Sequence, residues 1–119
     1  MIHFKRLDHI LISVPEGKLQ DARTFYSQVL GLTEIAGGHP HNAIWFNIAD
    51  IQLHIREEPT GPVSARHPAF EIANIDEARQ ELERKDVPIS YSSDIDGRQR
   101  FFIRDPFDNR IEFLEYEVR

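Results

Sequence analysis

Two stretches of this chain follow the same order of elements, and that repetition restricts the fold more than any other feature. From Leu7 to Val14 residues alternate, with Asp8, Ile10, Ile12 and Val14 on one side and His9, Leu11 and Ser13 on the other, as a strand places them. Pro15, Glu16 and Gly17 break the run. Leu19, Ala22, Phe25, Tyr26, Val29 and Leu30 then recur at helical spacing until Gly31, which reads as a C-terminal cap. Gly37-Gly38-His39-Pro40 reads as a turn before two strand-like runs, Ala43 to Ile48 and Ile51 to Ile55, joined by Ala49-Asp50, and the first half closes near Pro59. After Thr60-Gly61-Pro62 the pattern restarts. Pro68 to Ile72 reads as a strand, and Asp76 to Lys85 as a helix with Ala78 and Leu82 inward, Asn74 as its N-cap and Glu77 three positions on. Three more strands follow, Ile89 to Ser92, Arg100 to Ile103 and Arg110 to Tyr116, with turn signals at Asp96-Gly97 and from Asp105 to Asn109. The period, from His9 to His67, is about 58 residues. One copy alone leaves a sheet face without a partner. The expected fold is therefore a single α+β domain of two βαβββ modules, at about 5–59 and 66–117, forming one cupped mixed sheet.

The length of 119 residues suits one such domain, which buries roughly two-thirds of its unfolded surface. No apolar run approaches the roughly 20 residues of a membrane span, so no membrane partner is expected. The start, Met1-Ile2-His3-Phe4-Lys5-Arg6, has no apolar signal core, and the chain has no cysteine, which together predict a cytoplasmic protein. A formal charge of −6 repels a nucleic-acid backbone, so no nucleic-acid partner is expected.

Strand parity adds a functional signal. The apolar side of each strand should pack on the helices, and the other side should line what the sheet encloses. On that second side lie His9, His54, His67 and Glu112, one from each of four strands. Zinc, nickel, manganese or ferrous iron would accept this donor set. Their spacings of 45, 13 and 45 residues form no compact motif, and a single strand histidine is an ordinary position on a half-solvated sheet. The joint pattern weighs more, because His9 and His67 hold equivalent places in the two copies.

These residues carry a family resemblance. Leu7-Asp8-His9-Ile10, Phe25-Tyr26-Ser27-Gln28-Val29-Leu30-Gly31-Leu32, Gln52-Leu53-His54-Ile55, His67-Pro68-Ala69-Phe70-Glu71-Ile72 and the run Phe102 to Phe113 together resemble the vicinal oxygen chelate superfamily. That superfamily includes glyoxalase I, methylmalonyl-CoA epimerase, fosfomycin-resistance thiol transferases, extradiol dioxygenases and bleomycin-resistance proteins. The resemblance implies His9, His67 and Glu112 as metal ligands. His54 stands where glyoxalase I has a glutamate, a departure from the plain glyoxalase pattern. Arg98, Arg100 and Phe101 stand where the fosfomycin enzymes carry a serine- and tyrosine-bearing phosphonate pocket, which argues against that substrate. Extradiol dioxygenases carry four repeats in a longer chain, and bleomycin-binding proteins lack the metal ligands.

The expected function is a divalent-metal-dependent, glyoxalase-like lyase or isomerase acting on a small oxygenated metabolite, with Glu112 or His54 as the catalytic base. One alternative is a metal-independent binding or resistance protein of the bleomycin-resistance type. Another is a dioxygenase using two histidines and Glu112, with His54 off the metal. Trp45 is a candidate substrate-binding wall, and equally a core or interface tryptophan. Arg100, with Arg98, is a candidate receiver of an anionic group near the mouth, set against the commoner reading of plain solvated loop charges. His39 and His41 read as surface residues of a turn, and His3 as a terminal residue without a role. A homodimer is expected, with the halves paired within one chain or exchanged between two.

Overall fold

The computed structural model describes residues 1–118. The chain forms two compact units, Met1–Thr60 and a second beginning at Gly61. It is an α+β protein whose strands bond as two mixed sheets, one in each unit. No helix among the described residues is long and apolar enough to cross a membrane.

In the first unit the strands lie in the order β1-β4-β3-β2. Strand β1 (His9–Val14) runs parallel to β4 (Ile51–Glu57), which pairs antiparallel with β3 (Ile44–Ile48), which pairs antiparallel with β2 (Thr33–Ile35). The register sets Leu11 beside His54 and His54 beside Trp45. Those side chains share one face. Leu53, Ile55, Ile44 and Phe46 take the other and are buried with Val14, Ala22, Phe25 and Tyr26 from β1 and the helix.

That helix differs from the expected regular one. Helix α1 spans Leu19–Thr24 and continues as a π-helical turn over Phe25–Val29. Leu30 N donates to Phe25 O at 3.1 Å, five residues back. Thr24 Oγ1 and Ser27 Oγ donate to the carbonyls of Gln20 and Arg23, at 3.2 and 2.7 Å. Such back-bonding competes with the α-helical ladder and favours a bulge. Gly31 then leaves the helix at φ +72°, as a C-terminal cap requires.

The second unit has the order β5-β7-β6. Strand β5 (Ala69–Glu71) is parallel to β7 (Arg110–Tyr116), and β6 (Arg98–Arg104) is antiparallel to it. The strand expected over Ile89 to Ser92 shrinks to a bridge between Ser90 and Phe102. Pro88, two residues before Ser90, has no N–H to offer at the next ladder position and stops the pairing on that side. Between β6 and β7, the buried Asp105 accepts from Phe107 N, Asn109 N and Asn109 Nδ2 at 2.8 to 2.9 Å. This turn fixes the register that places Glu112.

Helix α2 (Ile75–Arg84) buries Ile75 and Leu82. Asn74 Oδ1 caps it by accepting from Glu77 N at 3.0 Å, and Asp76 and Glu77 add negative charge to its first turn. Asn74→Ala is expected to lower stability by about 1 kcal/mol in urea unfolding. An unchanged midpoint would show that the cap contributes nothing.

Candidate functional site

In the first unit β1, β3 and β4 bring three of the expected residues together as stacked rings. His9 lies on His54 with centroids 4.2 Å apart, and His54 lies on Trp45 at 3.9 Å with an interplanar angle of 4°. His39 continues the stack on the other side of Trp45 at 4.1 Å. Hydrogen bonds set the tautomers. His9 Nδ1 is 2.9 Å from Asp8 Oδ2; a carboxylate only accepts, so Nδ1 carries the proton and Nε2 keeps its lone pair. His54 gives Nε2–H to Gln52 Oε1 at 2.9 Å and keeps its lone pair on Nδ1.

Burial holds His54 below the ordinary histidine range, with the neighbouring His9 as the second cause. His54 thus favours its neutral form in the folded protein. Because the folded value lies below the unfolded one of about 6.5, the stability this contributes is present above that pH and is lost as pH falls through the folded value. Ring-nitrogen NMR of the metal-free protein should show His54 titrating below the ordinary histidine value of about 6.5. A titration at that value would contradict this environment. The exposed Asp8 is held below the usual carboxylate range by the hydrogen bond from His9, with Arg6 beside it.

In the second unit β5 and β7 bring His67 to Glu112. Glu112 is only 4% exposed. His67 Nδ1 is 2.9 Å from Ala65 O, which can only accept, so Nδ1 carries a proton. Nε2, 3.1 Å from Glu112 Oε1, therefore meets that carboxylate only across a proton or a metal ion. Arg100 Nη1 reaches the same oxygen at 3.4 Å, while its Nε and Nη2 hold Ser93 O at 3.2 and 2.6 Å. Phe102 packs edge-on to His67 at 5.1 Å.

The donor chemistry suits a divalent cation. His9 is held by a carboxylate and His67 by a carbonyl through Nδ1–H, the outer contacts that orient metal-binding imidazoles with Nε2 outward. Two ligands at about 2.1 Å from one ion lie about 3.0 to 3.4 Å apart, which matches the 3.1 Å between His67 Nε2 and Glu112 Oε1. Each unit brings two donors together. Among the described residues no group of three or more His, Cys, Asp or Glu is arranged to hold a metal.

Trp45 takes its place as a half-buried ring between two imidazoles, and Arg100 as the partner of Glu112. His39 corrects the surface reading. It is half-buried, bonds Ile35 O through Nε2 at 2.9 Å and covers Trp45. The turn that folds it back includes Gly37 at φ +115°, and only the glycine pair in the sequence hinted at that path. His41 is exposed, as expected.

The family model of the Glyoxalase/Bleomycin resistance protein/Dioxygenase superfamily matches residues 6–113. A solved protein assigned to the glyoxalase family, from Bacillus anthracis, is 31% identical, with 98% of this chain and 99% of that chain covered and a TM-score of 0.89. Lactoylglutathione lyase from Agrobacterium tumefaciens is 20% identical, with 92% of each chain covered and a TM-score of 0.75. An antibiotic-binding protein from Streptomyces sp. CB03234 is also 20% identical, with 97% of this chain and 100% of that chain covered and a TM-score of 0.75. At that identity the last two show a shared fold alone. No curated protein matches the sequence.

Proposed function

The chain belongs to the glyoxalase/bleomycin resistance protein/dioxygenase superfamily, and from that membership we propose that it is a divalent-metal-dependent enzyme of glyoxalase type, a lyase or isomerase for a small oxygenated metabolite. His9, His54, His67 and Glu112 are its metal donors, for zinc, nickel, manganese or ferrous iron. The observation that carries this reading is the His67–Glu112 pair: a buried carboxylate meets an imidazole nitrogen whose other nitrogen already gives its proton to a carbonyl. The reading extends to a homodimer, which light scattering checks.

A bound divalent ion supplies Lewis-acid polarisation of adjacent substrate oxygens. The chain's own residues supply the proton transfer. Glu112 Oε1 is one acceptor; His54 Nδ1 is the other where His54 stands off the metal, because Nε2–H goes to Gln52 and Nδ1 holds the ring's single free lone pair. Trp45, covered on both faces by His39 and His54, offers a substrate only its ring edge. With His54 off the metal, His9, His67 and Glu112 form the two-histidine, one-carboxylate set of non-haem iron oxygenases.

A second reading, a metal-independent binding protein, draws on one observation: the first unit stacks four rings, with His9 and His39 at its ends, an arrangement suited to a planar ligand. Turnover separates the two. Metal-loaded protein is expected to convert a 2-oxoaldehyde hemithioacetal, an acyl-CoA epimer or a catechol, to lose that activity to a chelator and to regain it with metal. No turnover in any of the three classes, with ligand binding indifferent to chelator, would favour the binding protein.

A further inference from the structure

The second-unit sheet turns an arginine-rich face away from α2. Cross-strand register places Arg98 beside Tyr116, Arg100 beside Leu114, Phe102 beside Glu112 and Arg104 beside Arg110, so all four arginines share the face of Glu112. The carboxylates there are Glu112 and, on β5, Glu71. This cationic face belongs to a chain with a formal charge of −6.

Three of the arginines have structural partners. Arg104 donates to Ser64 O and Asp108 O, Arg110 donates to Ala65 O and covers Phe102, and Arg100 clamps Ser93 O and Glu112. Arg98 differs. Its guanidinium lies 4.8 Å over the Tyr116 ring, and its Nε is buried with no hydrogen-bond partner among the described residues. A buried donor left unpaired is costly and calls for an acceptor.

We propose that Arg98 and Arg100 form a subsite for an oxyanionic group, carboxylate or phosphate, on the substrate. Two positions apart on β6, they sit about 7 Å from one another along the strand and on the same side. The guanidinium fork suits a planar carboxylate or a phosphate face, and Arg98 Nε–H supplies the missing pairing. Arg100, held at Ser93, fixes the end of the subsite nearer Glu112. The subsite rests on the reading of Glu112 as part of the active centre, but its test needs no metal.

The test is NMR of the arginine Nε–H signals in the full chain, titrated with sodium acetate or sodium phosphate against sodium chloride at matched ionic strength, with metal content measured separately. Arg98 and Arg100 signals are expected to shift saturably with one of the two probes. Acetate alone assigns a carboxylate, phosphate alone a phosphate, and Arg98→Gln should weaken the affinity by about fivefold or more. Shifts no different from chloride for both probes would overturn the subsite, as would unchanged affinity in Arg98→Gln. Neither result bears on whether metal binds.

Discussion

Phe102→Ala is expected to cost about 3 to 5 kcal/mol of stability, because it removes a large ring from a packed interior and the site collapses only partly around the cavity. Phe102 is 1% exposed. Its ring meets His67 edge-on, Arg110 lies 3.9 Å over it and Arg100 5.3 Å over it, while its backbone exchanges hydrogen bonds with Ser90. The ring thus supports the imidazole and both guanidiniums around Glu112. Urea unfolding of the variant reads the effect directly. A loss below about 1 kcal/mol would mean that the neighbouring side chains fill the space, and that Phe102 does not hold the site's geometry.

Glu112→Gln is expected to have the largest effect on activity. The amide keeps the volume of a side chain that is 6% exposed and retains an oxygen for Arg100 or His67. It loses the charge that attracts a cation and the basicity that takes a proton. Turnover by metal-loaded protein should fall by about a hundredfold or more, the usual contribution of a positioned acid or base. Metal affinity should fall by about tenfold or more. Turnover within about twofold of wild type would remove Glu112 from the proton transfer and leave His54 as the base.

How much of this was legible in the sequence depended on whether a local period carried it. Alternation in β1, β4 and β7 put His9, His54 and Glu112 opposite the helix-facing side, and His67, just before β5, keeps the parity of Ala69 and Glu71, because a strand's period of two is written in neighbouring residues. The cap at Asn74 was equally local. The π-helical turn was not legible, since Phe25, Tyr26, Val29 and Leu30 keep the same apolar spacing whether the ladder closes four or five residues back. The short strand β2 carries too few residues to show a period, and the alternating segment Ile89 to Ser92 pairs at Ser90 alone among the described residues. Which donors become neighbours was hidden for another reason. His67 meets Glu112, and His9 meets His54, through parallel pairings of strands far apart in sequence. His39 on Trp45, and an Arg98 Nε with no partner among the described residues, likewise depend on long-range packing.

Metal content, measured by plasma mass spectrometry on untagged protein, tests the central claim most directly. Wild type, His67→Ala and Glu112→Ala would be incubated with zinc, nickel, manganese and anaerobic ferrous iron, with folding of each confirmed by circular dichroism. Near-stoichiometric metal in wild type, lost in both variants, is the expected result. A folded wild type that stays empty with all four ions would contradict the metalloenzyme and leave the small-molecule binding protein in its place.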